Sequence, residues 1–156
     1  MKTMSVCYCL LGVSLALLAS DKGKPCTMRD AIRAEEEASS LQSWADVYRS
    51  WRIFAHCDDG AIAEGYSDSI ARLLSEHWDS TDELNRLVSH ARGFEAFVLK
   101  HIDELMSPAQ AEKIRHNADA HCPLRAKRLC KLISARIREG NSPADSRPAN
   151  RYQLVP

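Results

Sequence analysis

This sequence has no excess charge of either sign. Its 21 Lys and Arg residues balance 21 Asp and Glu. It therefore carries no general basic stripe, and nucleic acid is not an expected partner. Strand patterning is also missing, because no stretch alternates apolar and polar residues over the length of a half-buried strand. The apolar run Val6 to Leu18 falls short of the roughly 20 residues that a bilayer span requires. No alternating acidic pattern before a glycine marks a calcium loop. The His and Cys spacing fits no zinc finger. No nucleophile, base and orienting group stand at recognisable spacing. These absences lead to an expectation of no cofactor, no metal, no stable membrane span and no catalytic residues.

What is present begins at the N-terminus. Lys2, the apolar run and the small residues Ala19 and Ser20 follow one another as in a Sec-type signal peptide over residues 1–20. Cleavage would follow Ala16, Ala19 or Ser20, and the lack of a lipobox cysteine argues against a lipoprotein. Export changes the meaning of the six cysteines. Cys7 and Cys9 leave with the signal. Cys26, Cys57, Cys122 and Cys130 remain, an even number suited to an oxidising compartment. Cys122-Pro123 reads as a helix start with Cys130 inside that helix. Eight helical residues separate Cα atoms by about 12 Å, whereas a disulfide needs less than about 7 Å. The expectation is therefore that Cys57 pairs with Cys122 or Cys130, tying the second main helix to the last. Cys26 then takes the remaining cysteine or stays free on a loose N-terminal arm.

The 156 residues suit one domain, and 45% hydrophobic residues are ordinary for a globular core. Residues 21–40 read as an arm with a weak helix from Thr27 to Ala38. Leu41, Trp44, Tyr48, Trp51 and Ala55 recur every three or four positions, giving a strong amphipathic helix. A second main helix follows from about Gly60 to Trp78. Ser80-Thr81-Asp82-Glu83 reads as a capping box before Leu84, Leu87 and Val88. After Gly93, an apolar face comprises Phe94, Phe97, Val98, His101, Ile102 and Leu105. Ser107-Pro108-Ala109-Gln110 opens another helix, and the last runs from Pro123 to Ile137. The expected fold is an all-α, compact single domain of five to seven helices over 41–139, with a disordered tail over 140–156.

The most informative stretch is Cys57 to Ser69. Asp58, Asp59, Glu64 and Asp68 stand there without a Lys or Arg, and like charges repel. Asp58 or Asp59 suits a helix cap. The more exposed carboxylates suit a docking surface for a basic partner. Ala61, Gly65 and Ser69, at i, i+4 and i+8, form a small-residue ridge for close helix packing. His56-Cys57 and His121-Cys122 offer a metal-site or Cys–His nucleophile alternative, which oxidised cysteines would disable. His101 lies on an apolar face and reads as a hydrogen-bonded core histidine. Trp44, Trp51 and Trp78 read as core or interface anchors.

The Cys57–Ser69 block resembles the signature of periplasmic immunity proteins for type VI secretion amidase effectors, the Tai-type family. The similarity takes in Trp44, Leu73-Leu74 with Trp78, and Phe97-Val98 with His101-Ile102. It continues through Ile114 with Asn117-Ala118, Cys122-Pro123 and Leu129-Cys130, spanning about residues 43–137. The N-terminal arm with Cys26 and the segment after Gly140 do not belong to that pattern. The resemblance implies a small helical periplasmic protein that is not an enzyme. It would bind a peptidoglycan amidase and occlude its Cys–His site. It also implies a homodimer able to form a heterotetramer with two effectors. Rival readings are a secreted helical hydrolase or metal enzyme using His56 and His121, or an envelope ligand-binding or chaperone module.

Overall fold

The computed structural model describes residues 23–140 except Arg92 and Glu104. The signal-peptide reading of 1–20 lies outside the described residues, as does the tail reading of 140–156 except for Gly140, which is the last residue of a helix. Among these residues there are seven α-helices and no strands: α1 Met28–Ala38, α2 Trp44–Phe54, α3 Gly60–Glu76, α4 Thr81–His90, α5 Phe94–Lys100, α6 Pro108–Ala120 and α7 Lys127–Gly140. Short 3₁₀ turns lead out of α2 and into α4 and α7. The fold is an all-α single domain.

Local chemistry starts several of these helices. Thr27 and Ser43 have extended backbone, and their hydroxyls accept hydrogen bonds from the amides of Asp30 and Asp46. Ser107 and Gln110 make a reciprocal capping box, with Pro108 opening α6. The expected box at Ser80 does not form. Residues 78–80 are already a 3₁₀ turn running into α4, and Ser80 has φ −82° and ψ 2°. Its hydroxyl turns back to the His77 carbonyl, and that of Thr81 to the Trp78 carbonyl. Gly93 enters α5 at φ 91°, a left-handed conformation that suits a residue without Cβ.

The core gathers Trp44, Val47 and Phe54 from α2, Tyr66, Ile70, Leu73 and Leu74 from α3, and Leu84 from α4. Phe94 and Val98 of α5, Ile114 of α6, and Leu129 and Ile133 of α7 join them. Tyr48 and Trp51 pack against Phe94, and Phe97 lies edge-on to Tyr66, fastening α5 to α2 and α3. The N-terminal segment is more than an arm. Ala34 and Ala38 of α1 are fully buried, and α1 packs on both α2 and α3. Leu105 is 60% exposed because α5 ends at Lys100, before the apolar face expected from sequence runs out.

The disulfide expectation is corrected. Cys26 joins Cys57, and Cys122 joins Cys130, with Cα separations of 4.9 and 6.1 Å. Cys122 lies outside the last helix. Pro123 holds an extended backbone with ψ 142°, residues 124–126 form a 3₁₀ turn, and α7 begins only at Lys127. The chain from 122 to 130 therefore folds back rather than rising along one helix. Cys26 is not free, and neither bridge ties α3 to α7. No helix among the described residues is long and apolar enough to cross a membrane.

Candidate functional site

The four carboxylates after Cys57 part company in three dimensions. Asp59 has extended backbone at the start of α3, and its carboxylate accepts from the Gly60 amide at 2.8 Å. Asp59 is thus the cap. Asp58, one residue earlier, points inward, and its side chain is only 9% exposed. Glu64 and Asp68 project from α3 into solvent, and no ion pair engages either among the described residues. They stand three and seven residues after exposed Ala61, so the three share one face of the helix.

The small-residue ridge divides as well. Gly65 and Ser69 are buried against the end of α1, where Ser69 Oγ donates to the Ala38 carbonyl at 2.7 Å. A Cβ on Gly65 would stand 2.9 Å from Ala38 Cβ and 3.0 Å from the Ser39 amide nitrogen. Ala61 is exposed and takes no part in that close approach.

Beneath the acidic face lies a polar junction in which sequence reasoning had placed only His101 and, as a cap, Asp58. Asp58 Oδ2 accepts from Lys100 Nζ at 2.8 Å and lies 3.2 Å from His101 Nε2. Asp58 Oδ1 is also 3.2 Å from that nitrogen but has no hydrogen-bond partner of its own. On the other edge of the imidazole, His101 Nδ1 is 3.1 Å from Ser67 Oγ, which donates to Asp103 Oδ2 at 2.7 Å. The other Asp103 oxygen accepts from the Leu105 amide. Burial pushes the Asp58 carboxyl up. Hydrogen bonds and charge from His101 and Lys100 outweigh it and hold Asp58 below its ordinary value. The missed members, Ser67 and Asp103, are 36 residues apart in the chain. The only local signal was a serine between buried Tyr66 and the acidic positions.

Asp58, His101 and Ser67 are the residue types of an acyl-transfer triad, but the arrangement does not activate a nucleophile. Ser67 is 5% exposed, and its hydroxyl proton is committed to Asp103 rather than to the histidine. The cleft bordered by Ser67, Asp68, Asp103 and Met106 has room for about 10 Å³, no more than a water. A larger cleft of about 400 Å³ beside Cys122 and Cys130 is lined by Asp119, Lys127 and Lys131, without a nucleophile and base in contact.

The histidines of the rival enzyme reading occupy different surroundings. His56 Nε2 is 3.3 Å from Asp30, which also receives Lys24. Hydrogen bonding from Lys24 lowers the Asp30 carboxyl, burial opposes it, and His56 and Thr27 add to the lowering. His121 packs edge-on to His116 at the end of α6, with its carbonyl accepting from Trp78 Nε1. No group of three or more His, Cys, Asp or Glu among the described residues could hold a metal ion. Against known proteins, no family model, no curated protein and no solved structure matches this chain.

Proposed function

We propose that this chain is a periplasmic immunity protein that binds a type VI secretion peptidoglycan amidase and inhibits it by occluding the Cys–His active site. The observation that carries this reading is the ordered set of residues from Trp44 to Cys130, centred on the Cys57–Ser69 block. Two features support it. Paired disulfides suit an oxidising compartment. Glu64 and Asp68 are exposed carboxylates without an ion-pair partner among the described residues, which suits steering of a basic effector surface. In this reading the protein acts by binding and not by catalysis, as a homodimer that forms a heterotetramer with two effectors. Asp58 and Asp59 keep the fold, and Glu64 and Asp68 meet the partner.

Protection from an amidase at low periplasmic concentration demands nanomolar binding or tighter, about −12 kcal/mol. The test is co-expression of the full chain with the cognate amidase, followed by capture from periplasm. Retained cell growth and a stable complex are expected. Charge reversal, Glu64→Lys with Asp68→Lys, is expected to slow association on the order of tenfold at low salt with unchanged helicity. A correctly exported protein that neither binds the amidase nor protects the cell overturns the proposal.

A further inference from the structure

The junction under the acidic face has a proton count that fixes the state of its histidine. Three contacts run in series: Asp58 to His101 Nε2, His101 Nδ1 to Ser67 Oγ, and Ser67 Oγ to Asp103 Oδ2. Each needs one proton between its heavy atoms. Ionised carboxylates at the two ends can only accept. Ser67 brings one proton and a neutral imidazole brings one, which leaves one contact with two lone pairs facing each other. The short Ser67–Asp103 contact takes the serine proton, so Ser67 Oγ can only accept from His101 Nδ1–H. The contact at Nε2 then needs a second ring proton.

We propose that His101 is an imidazolium cation held in the interior, and that the junction it closes is a proton-operated clasp. The clasp joins the entrance of α3, the middle of α3 and the segment that follows α5. His101 is 1% exposed, so this cation depends on its neighbours rather than on water. The groups facing it are Asp58 before α3, Lys100 beside it on α5, Tyr66 and Ser67 on α3, and Asp103 beyond α5, with Asp68 at the edge of the adjoining cleft. Tyr66 supplies no proton to the series. Its hydroxyl is paired with Ser50 at 2.8 Å, and burial pushes the phenol up despite that hydrogen bond. Burial opposes a charge on Asp58, but the Lys100 ammonium 2.8 Å from its Oδ2 favours the carboxylate, so the third proton is assigned to the ring rather than to Asp58. Alkali withdraws that proton and sets two acceptors against each other, so the clasp opens on the basic side. Loss of the Asp58 charge in acid removes the counter-ion of the ring and loosens the clasp on the other side.

Nitrogen-detected NMR of the uniformly labelled full chain tests this. At neutral pH, His101 is expected to carry bonded protons on both ring nitrogens. Alkaline loss of one is expected to coincide with loss of amide protection at Leu105, whose N–H is held by Asp103. Asp103→Asn brings its own donor to Ser67, so the series closes with a neutral ring. The ring of His101 in that variant is expected to carry a single bonded proton at neutral pH. A single ring proton on His101 at neutral pH in the parent protein overturns the proposal. So does a folded Asp103→Asn variant whose His101 ring still carries two protons at neutral pH.

Discussion

The carboxylate of Asp58 is mostly buried beneath Lys100 and against His101; burial pushes it up, and those two donors outweigh burial and hold it below its ordinary value. Its two donors arrive from residues 42 and 43 positions away, so they hold the entrance of α3 to the end of α5. Because its folded value is depressed, its contribution to stability is fully present above the unfolded value of about 3.9. That contribution is lost as the pH falls through the depressed folded value. Asp58→Asn removes the charge while keeping the shape. Taking one partner from a buried charge pair costs about 3 kcal/mol. The variant is expected to melt lower at neutral pH and to show a flatter loss of stability on acidification. Urea unfolding of both proteins between neutral and acid pH measures this, and parallel acid limbs would assign the effect to other carboxylates.

At the scale of helices, α3 makes a close approach to the end of α1. It exists because Gly65 has no side chain where Ala38 and the Ser39 backbone approach. Ser69 adds a hydrogen bond to the Ala38 carbonyl one turn further on. Arg72 follows with a hydrogen bond to the Leu41 carbonyl. Glycine within a helix costs about 1 kcal/mol relative to alanine, and this contact is what offsets it. Gly65→Ala gains that propensity but forces Cβ into backbone that cannot rotate away, an overpacking cost of about 1–3 kcal/mol. The expected net result is a loss of about 1 kcal/mol, read from the urea midpoint. A more stable Gly65→Ala protein would mean that α1 is not seated on α3 in solution.

At the scale of the whole molecule, the two disulfides constrain different lengths of chain. Cys26–Cys57 spans 31 residues and fixes α1 to the turn that follows α2, whereas Cys122–Cys130 spans only 8. Loop-closure entropy assigns them about 4 and about 2.5 kcal/mol. Cys57 and Cys130 are both in the core, at 4% and 2% exposure, so loop length decides the difference. Replacing Cys26 and Cys57 by alanine is therefore expected to lower stability by at least 1 kcal/mol more than replacing Cys122 and Cys130. Denaturation of the two double variants compares them directly. Non-reducing peptide mapping of the parent protein should return the pairs 26–57 and 122–130, and a bridge from Cys57 to Cys122 or Cys130 would contradict this architecture.

Much of the fold was legible in the chain. Apolar recurrence at three and four residues marked the helices and most core positions, because that periodicity follows from the geometry of a single helix. Ser107 with Gln110 declared a helix start, because a cap is complete within four residues. His101 among Phe97 and Ile102 read as a buried, hydrogen-bonded histidine for the same local reason. Its partners did not, since Asp58 and Ser67 meet it across 43 and 34 residues. The same holds for Cys26 with Cys57, and for the seating of α1 at Gly65. Cys122 was misread because Pro123 suits the first turn of a helix and an extended link equally, and the packing of Ala126 and Leu129 into the core selects the link. Neighbours along the chain decide helices and caps; which distant groups share a buried site is decided only when all the helices pack together.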